Sequence, residues 1–362
     1  MANIVVKKTN KTMMLLSAIG ILMVVDAHSG SPIGLLRETF PYDSFFMPLF
    51  IFVSGYFFNP DKIASLTRYC SYKCVRLLWP YVKHNALVGM VFTLLMGLIG
   101  FSWYGSDSPT KFVTDMLSYG LVFDVTSPSW FIISLFSVVI VYALLKTVIK
   151  NNVFVGVGVV TIGAFSVFLE RQFDLASTQN YVLLLKTLFF LQFYHFGVLY
   201  RYWIEPLKIS SCSLCGFGLI LGIILHFFYT NNDLRFTSLA FFQSFKTDNY
   251  LLPTISSLAG ISFYLGLSKC LKDSLGENHL INFISENTLT ILTCHLAFIN
   301  LVNFFLYILN IQFGFFQDFD VKRFSQGAWY LYTPNLAFNW VYFIFGVFGP
   351  LALLKTKAGK LL

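Results

Sequence analysis

The residue whose type and place most invite chemistry is a histidine at the end of an apolar run. Residues 15–30 read LLSAIGILMVVDAHSG, and His28 comes just before Ser29-Gly30-Ser31-Pro32 breaks the helical pattern. From Thr12 to Ala27 the run has 16 residues, roughly 24 Å of helix, slightly short of a full membrane crossing. His28 is therefore expected toward the outer face. An imidazole there can take a proton from a hydroxyl near neutral pH, as a general base does. A histidine that only closes the helix end fits the position equally well. Asp26 lies two residues away and so on nearly the opposite helix face, which bars it from supporting His28 while the helix is intact. Asp43, near the outer start of the next apolar stretch, is the easier partner.

Other ionisable groups fall in or beside apolar runs, where they are costly and are functional candidates by default. His195 (FYHFGVLYR, 193–201) and His295 (LTCHLAF) lie within such runs, both read toward the inner half, and each fits a proton-carrying or a structural role. Lys73, Arg76 and Lys83 flank Trp79-Pro80-Tyr81. Such a segment suits anionic lipid, or it cradles phosphates, which a guanidinium binds bidentately. Cys212-x-x-Cys215 has the spacing of half a zinc site, but no second pair matches it, so no metal is expected.

The elements that must position these residues are membrane helices. The 362 residues are 56% hydrophobic and only 12% charged, with a mean hydropathy of +0.69, which excludes a soluble enzyme of this length. The net charge of +8 reads as sidedness and not as nucleic-acid binding. Ten apolar segments are expected near 12–28, 41–58, 84–104, 129–149, 153–169, 181–203, 212–229, 251–268, 288–310 and 335–354. With the N-terminus inside, 17 of the 25 Lys and Arg fall on the cytoplasmic side and seven outside. The fold expected is an all-α polytopic bundle of about ten transmembrane helices with both termini cytoplasmic, forming a single domain over 1–362. Lys7, Lys8 and Lys11 before the first run resemble a signal peptide, but no cleavage site follows, and a retained first helix is expected. Trp103, Tyr104, Trp203, Trp329, Tyr330 and Tyr332 stand near span ends, as interfacial aromatics do. Residues 111–123 have apolar positions at helical spacing and suit either the membrane surface or a packed cap.

Several stretches together resemble the integral-membrane acyltransferase 3 family, in particular its fucose 4-O-acetylase-like and polysaccharide O-acetyltransferase branch. They are the first-helix pattern ending in His28, FMPLFIFVSGYFF at 46–58, KCVRLLWPY at 73–81, SPSWFIISLF at 127–136 and SENTLTILTCHLAF at 285–298. The resemblance implies a multi-pass protein of the bacterial cytoplasmic membrane that O-acylates a cell-envelope polysaccharide such as a capsule. The donor implied is a cytoplasmic acyl-CoA, acetyl-CoA above all. The acceptor implied is a hydroxyl of a cell-surface or lipid-linked glycan, with membrane lipids as the surroundings and no nucleic acid as a partner. His28 matches the family's essential histidine. Asp43 and His295 join it as catalytic candidates, and Arg76, Lys73 and Trp130 are the donor-binding candidates. Two positions depart from the pattern: Ser17 stands where the family has a cation, and Phe46 where related acetylases often have histidine. The competing expectation is an exporter or flippase of polysaccharide or lipid-linked sugar, although no inverted repeat supports it.

Overall fold

A computed structural model describes residues 10–118, 120–175, 181–234, 249–316, 319–326, 338–356 and 359. Lys7, Lys8, Arg235, Lys246, Trp329, Tyr330, Tyr332, Lys357 and Lys360 of the sidedness reading lie outside them. The described chain is all-α, and its one strand-like pairing is an isolated bridge between Gly105 and Phe123. In chain order the principal helices are α1 (Lys11–His28), α2 (Tyr42–Tyr56), α3 (Leu66–Leu98), α4 (Pro109–Ser118), α5 (Trp130–Val148) and α6 (Asn152–Phe173). They continue as α7 (Val182–Leu207), α8 (Ser211–Phe228), α9 (Leu252–Leu275), α10 (His279–Glu286), α11 (Thr288–Phe313) and α12 (Asn339–Leu354).

Among the described residues each of the ten apolar segments contains a helix, and seven helices are long and apolar enough to cross a membrane. The other three fall short for visible reasons: α2 and α12 have 15 and 16 residues, and α9 carries Lys269, Lys272 and Asp273 in its last turns. The chain is a multi-pass membrane protein. Burial separates a centre from a rim. The apolar stretches of α7, α11 and α1 are 72%, 67% and 56% buried within the protein, against 17% for α8 and 28% for α3 and α6. Polar side chains collect on the central helices, because lipid offers a side chain no hydrogen-bond partner.

Two devices let the centre pack. Pro48 lies inside α2 and has no N–H to give the carbonyl of Ser44 one turn back. The hydroxyl of Ser257 on α9 donates to that carbonyl at 2.6 Å and replaces the missing bond across helices. Gly55 of α2 and Gly197 of α7 face each other's backbones, and a Cβ on either would sit 2.0 Å from a carbonyl oxygen of the opposite helix. Small residues allow this approach, which is how helices associate where water gives no driving force.

The third span corrects the expectation. It does not start at 84 after a basic loop; α3 runs from Leu66, so Lys73, Arg76 and Lys83 are all helical. Pro80 suggested a boundary, but a π-helical turn over Cys74–Leu78 absorbs it, with the N–H of Trp79 reaching the carbonyl of Cys74 five residues back. A second π turn covers Asn85–Met90. The chain leaves the helix at Gly100, whose φ of +82° suits glycine. In α4 Asp115 is buried and accepts from the hydroxyls of Tyr104 (2.7 Å) and Ser106 (2.6 Å), as a packed cap requires, while Val113 and Leu117 stay exposed, as a membrane-surface helix requires.

Candidate active site

The site is built where α1 stops. Ser29, the C-cap, turns its hydroxyl back to the carbonyl of Val25 at 2.8 Å. Gly30 and Ser31 follow in the left-handed region, with φ of +80° and +57°. Asp26 accepts from the backbone N–H groups of Ile33 (2.9 Å) and Gly34 (3.1 Å), so its buried carboxylate ties down the loop after His28 and not the imidazole. The same loop is clamped from two other helices. Asn339 of α12 donates to the carbonyl of Gly30 at 3.2 Å, and Tyr264 of α9 donates to that of Leu35 at 2.9 Å. His28 is thus held at a fixed helix end.

Across from it stands His295. Its Nε2 is 2.8 Å from Nδ1 of His28, with the two rings 5.0 Å apart between centroids and 22° from parallel. Nδ1 of His295 lies 2.9 Å from the carbonyl oxygen of Ile291. A carbonyl only accepts, so Nδ1 of neutral His295 carries the proton and its Nε2 is an acceptor. Nδ1 of His28 must then be the donor, and the lone pair of neutral His28 falls on Nε2. On its Nδ1 side the partner of His28 is an imidazole.

The hydrogen bond puts His28 and His295 at one level of the bundle, so an outer depth for His28 and an inner depth for His295 do not both hold. The crossing does not begin at Thr288. The short helix α10 packs along α1 and carries the first part of the ascent, and Asn287 breaks the path before α11 continues it. α11 also buries Thr293, Asn300 and Asn303, which makes it the most polar face inside the bundle.

The remaining candidates lie on α2, α3, α5 and α7. Asp43 is half-buried in the first turn of α2. Trp130 is buried at the start of α5, and the ammonium of the fully buried Lys186 lies 3.6 Å from its ring centre, a cation–π contact between α5 and α7. Arg76 is exposed on α3 over the ring of Tyr72, and Lys73 is half-buried over that of Tyr69. His195 is buried and hydrogen-bonded through Nδ1 to the hydroxyl of Tyr142 at 2.8 Å. Ser17 donates to the carbonyl of Met13. Sequence reasoning missed His84, buried on the bulged part of α3 with Nδ1 2.7 Å from the hydroxyl of Thr293. Beside it Asn85 is satisfied by Tyr81, Thr126 and Ser129. The signal is present, since a histidine inside an apolar helix is a candidate, but a third span beginning at 84 leaves His84 at its edge.

A family model described as an acyltransferase domain, that of the acyltransferase 3 family, matches residues 13–355. The chain belongs to the acyltransferase 3 family. No curated protein and no solved structure matches it. Membership makes this polytopic bundle a membrane acyltransferase, and the match takes in the helices that carry both members of the histidine pair. An export protein without transferase activity is not favoured by it.

Proposed function

We propose that this acyltransferase is an O-acetyltransferase that moves an acetyl group from cytoplasmic acetyl-CoA to a hydroxyl of a cell-surface or lipid-linked glycan, with His28 as the base. The observation that carries the reading is the hydrogen bond from His28 to His295, which sets the proton on Nδ1 and the lone pair on Nε2. In the reaction Nε2 takes the hydroxyl proton as the oxygen attacks the thioester carbonyl. The tetrahedral intermediate collapses with cleavage of the C–S bond. The CoA thiolate leaves and recovers the proton from the imidazolium, so that ester and free thiol are the products. His295 accepts from Nδ1–H throughout and holds the ring in line. A positioned base of this kind is worth about 10²–10⁴ in rate.

The protein would work in the bacterial cytoplasmic membrane on an envelope polysaccharide, with the donor entering from the basic inner face, where Lys73 and Arg76 stand. The branch of fucose 4-O-acetylase-like and polysaccharide O-acetyltransferases fits this reading. Membrane vesicles supplied with [¹⁴C]acetyl-CoA outside their cytoplasmic face test it. Label should appear in glycan as an alkali-labile ester, and movement of glycan across the vesicle without labelling would replace transfer by export.

A further inference from the structure

A cavity of about 490 Å³ opens where the turn Pro60–Ala64, the connection between α5 and α6, and the far part of α7 meet. Its polar walls are Lys146, Thr147, Lys150, Asn152, Tyr202 and Asp61. In the positive-inside reading this is the cytoplasmic end of the bundle. Lys146 is not a swinging surface lysine: its ammonium donates to the carbonyl of Lys150 at 3.0 Å and to Oδ1 of Asn152 at 2.8 Å, which fixes the charge at the wall. Lys150 is exposed beside it. Asn152 is also the first residue of the 22-residue helix α6, so the positive end of that helix dipole meets the same space. Arg201 braces the back of the cavity by donating to the carbonyls of Tyr56 (3.1 Å) and Phe58 (3.2 Å), and Phe58 lines it. The first N–H groups of α6, those of Val153 and Phe154, are already capped by Oδ1 of Asn151, so the cavity's positive groups are the two ammoniums, against one carboxylate, Asp61.

We infer that this cavity is the seat for the phosphate groups of the acyl donor. The inference rests on the proposed function for the identity of the ligand, while the site itself is a phosphate site on its own chemistry. Arg76 is a different kind of group: it is exposed over Tyr72 and is not part of these walls. A charge held in a walled site loses less to water and salt than one on an open helix face. A hydroxyl, an amide, one fixed cation (Lys146) and one exposed cation (Lys150) around a space of this size match a phosphate ester better than they match lipid tails. An anionic lipid headgroup offers the same chemistry and is separated from the donor by the test.

The test uses full-length protein in nanodiscs of zwitterionic phosphatidylcholine. KM is measured for acetyl-CoA and for S-acetylpantetheine, which carries the thioester without the nucleotide phosphates. Lys150→Gln should raise KM for acetyl-CoA about tenfold and leave both constants for S-acetylpantetheine unchanged, since one charged hydrogen bond is worth about that factor. Lys146→Gln should act in the same direction, and Arg76→Ala should have the smaller effect. An equal rise for both donors, no rise for either, or a rise only with Arg76→Ala overturns the inference. So does a Lys150→Gln effect that appears only when phosphatidylglycerol replaces the zwitterionic lipid. Binding of free CoA, measured without turnover, separates this inference from the proposed function. If wild type transfers nothing yet binds CoA, and Lys150→Gln weakens that binding, the site stands and the reaction falls. If Lys150→Gln binds CoA as wild type does, the site falls whatever the reaction.

Discussion

Two histidines of the bundle, His28 half-buried and His195 fully buried, differ in what holds them, and the difference separates a candidate base from a brace. His28 stands at the end of a helix, its Nδ1 donating to a second imidazole, with a clamped loop of left-handed residues beyond it. His195 stands in the middle of α7, fully buried, with its Nδ1 on the hydroxyl of Tyr142. The first pair sets a tautomer at a place where backbone has been opened. The second ties α5 to α7, with Phe58 packed on both Tyr142 and Tyr194. An ionisable residue in a membrane helix is a candidate site, but its partner and the backbone around it decide between chemistry and packing.

The largest effect that would break this contrast belongs to His295. Its replacement by alanine removes the acceptor that fixes His28 and should lower kcat roughly ten- to a hundredfold, the worth of a hydrogen bond to a group that becomes charged. His295→Gln, which can still accept from His28, should recover part of that loss. Equal losses in the two variants, or a loss in KM alone, would make His295 a packing residue. Turnover per folded protein in detergent gives the answer.

His195 should behave in the opposite way. His195→Phe strands the hydroxyl of Tyr142 in the interior and should cost about 1–3 kcal/mol of stability. The melting temperature should fall while kcat of the protein still folded stays at the wild-type value. A drop in kcat with an unchanged Tm would put His195 in the chemistry and erase the contrast.

A smaller change is expected at His84. Its partner Thr293 keeps the helix carbonyls of Leu289 (3.0 Å) and Thr290 (3.2 Å) when His84 is removed. His84→Leu should therefore cost no more than about 1 kcal/mol and leave kcat unaltered, as thermal unfolding and turnover would show.

The smallest effect lies at the surface, where Lys11 meets Glu277 at 2.8 Å with both side chains largely exposed. The hydrogen bond and charge of Lys11 hold the Glu277 carboxyl below its usual range. Any stability from the pair is present at neutral pH and fades as the pH falls through that lowered value. Solvent screens it, so Glu277→Gln should leave Tm at neutral pH where it was.

The sequence carried the membrane helices, because apolar length is a local property, and it carried His28, because an imidazole before a Ser-Gly-Ser-Pro break stands out in a single run. It could not carry the partner of His28. His295 lies 267 residues away, and the break at Asn287 between α10 and α11, which sets its level against His28, has no proline or glycine to mark it. Pro80 misled in the other direction: proline reads as an end, and only a π turn, which has no sequence signature, keeps α3 continuous. Helix geometry turns Asp26 away from His28, but its hydrogen bonds from the N–H groups of Ile33 and Gly34 depend on the fold of the loop after the helix. The cavity proposed for phosphate joins residues near 60, 150 and 200, which no single stretch displays.

The central claim is that His28 takes the proton of the acceptor hydroxyl, and His28→Gln tests it most directly. Glutamine keeps hydrogen bonding and much of the volume but cannot accept that proton. The measurement is the O-acetyl content of the cell-surface glycan, by NMR, from cells with equal membrane levels of wild-type and His28→Gln protein. The account predicts acetylated glycan from the wild type and none above background from the variant. Wild-type acetylation in well-expressed His28→Gln cells would contradict it.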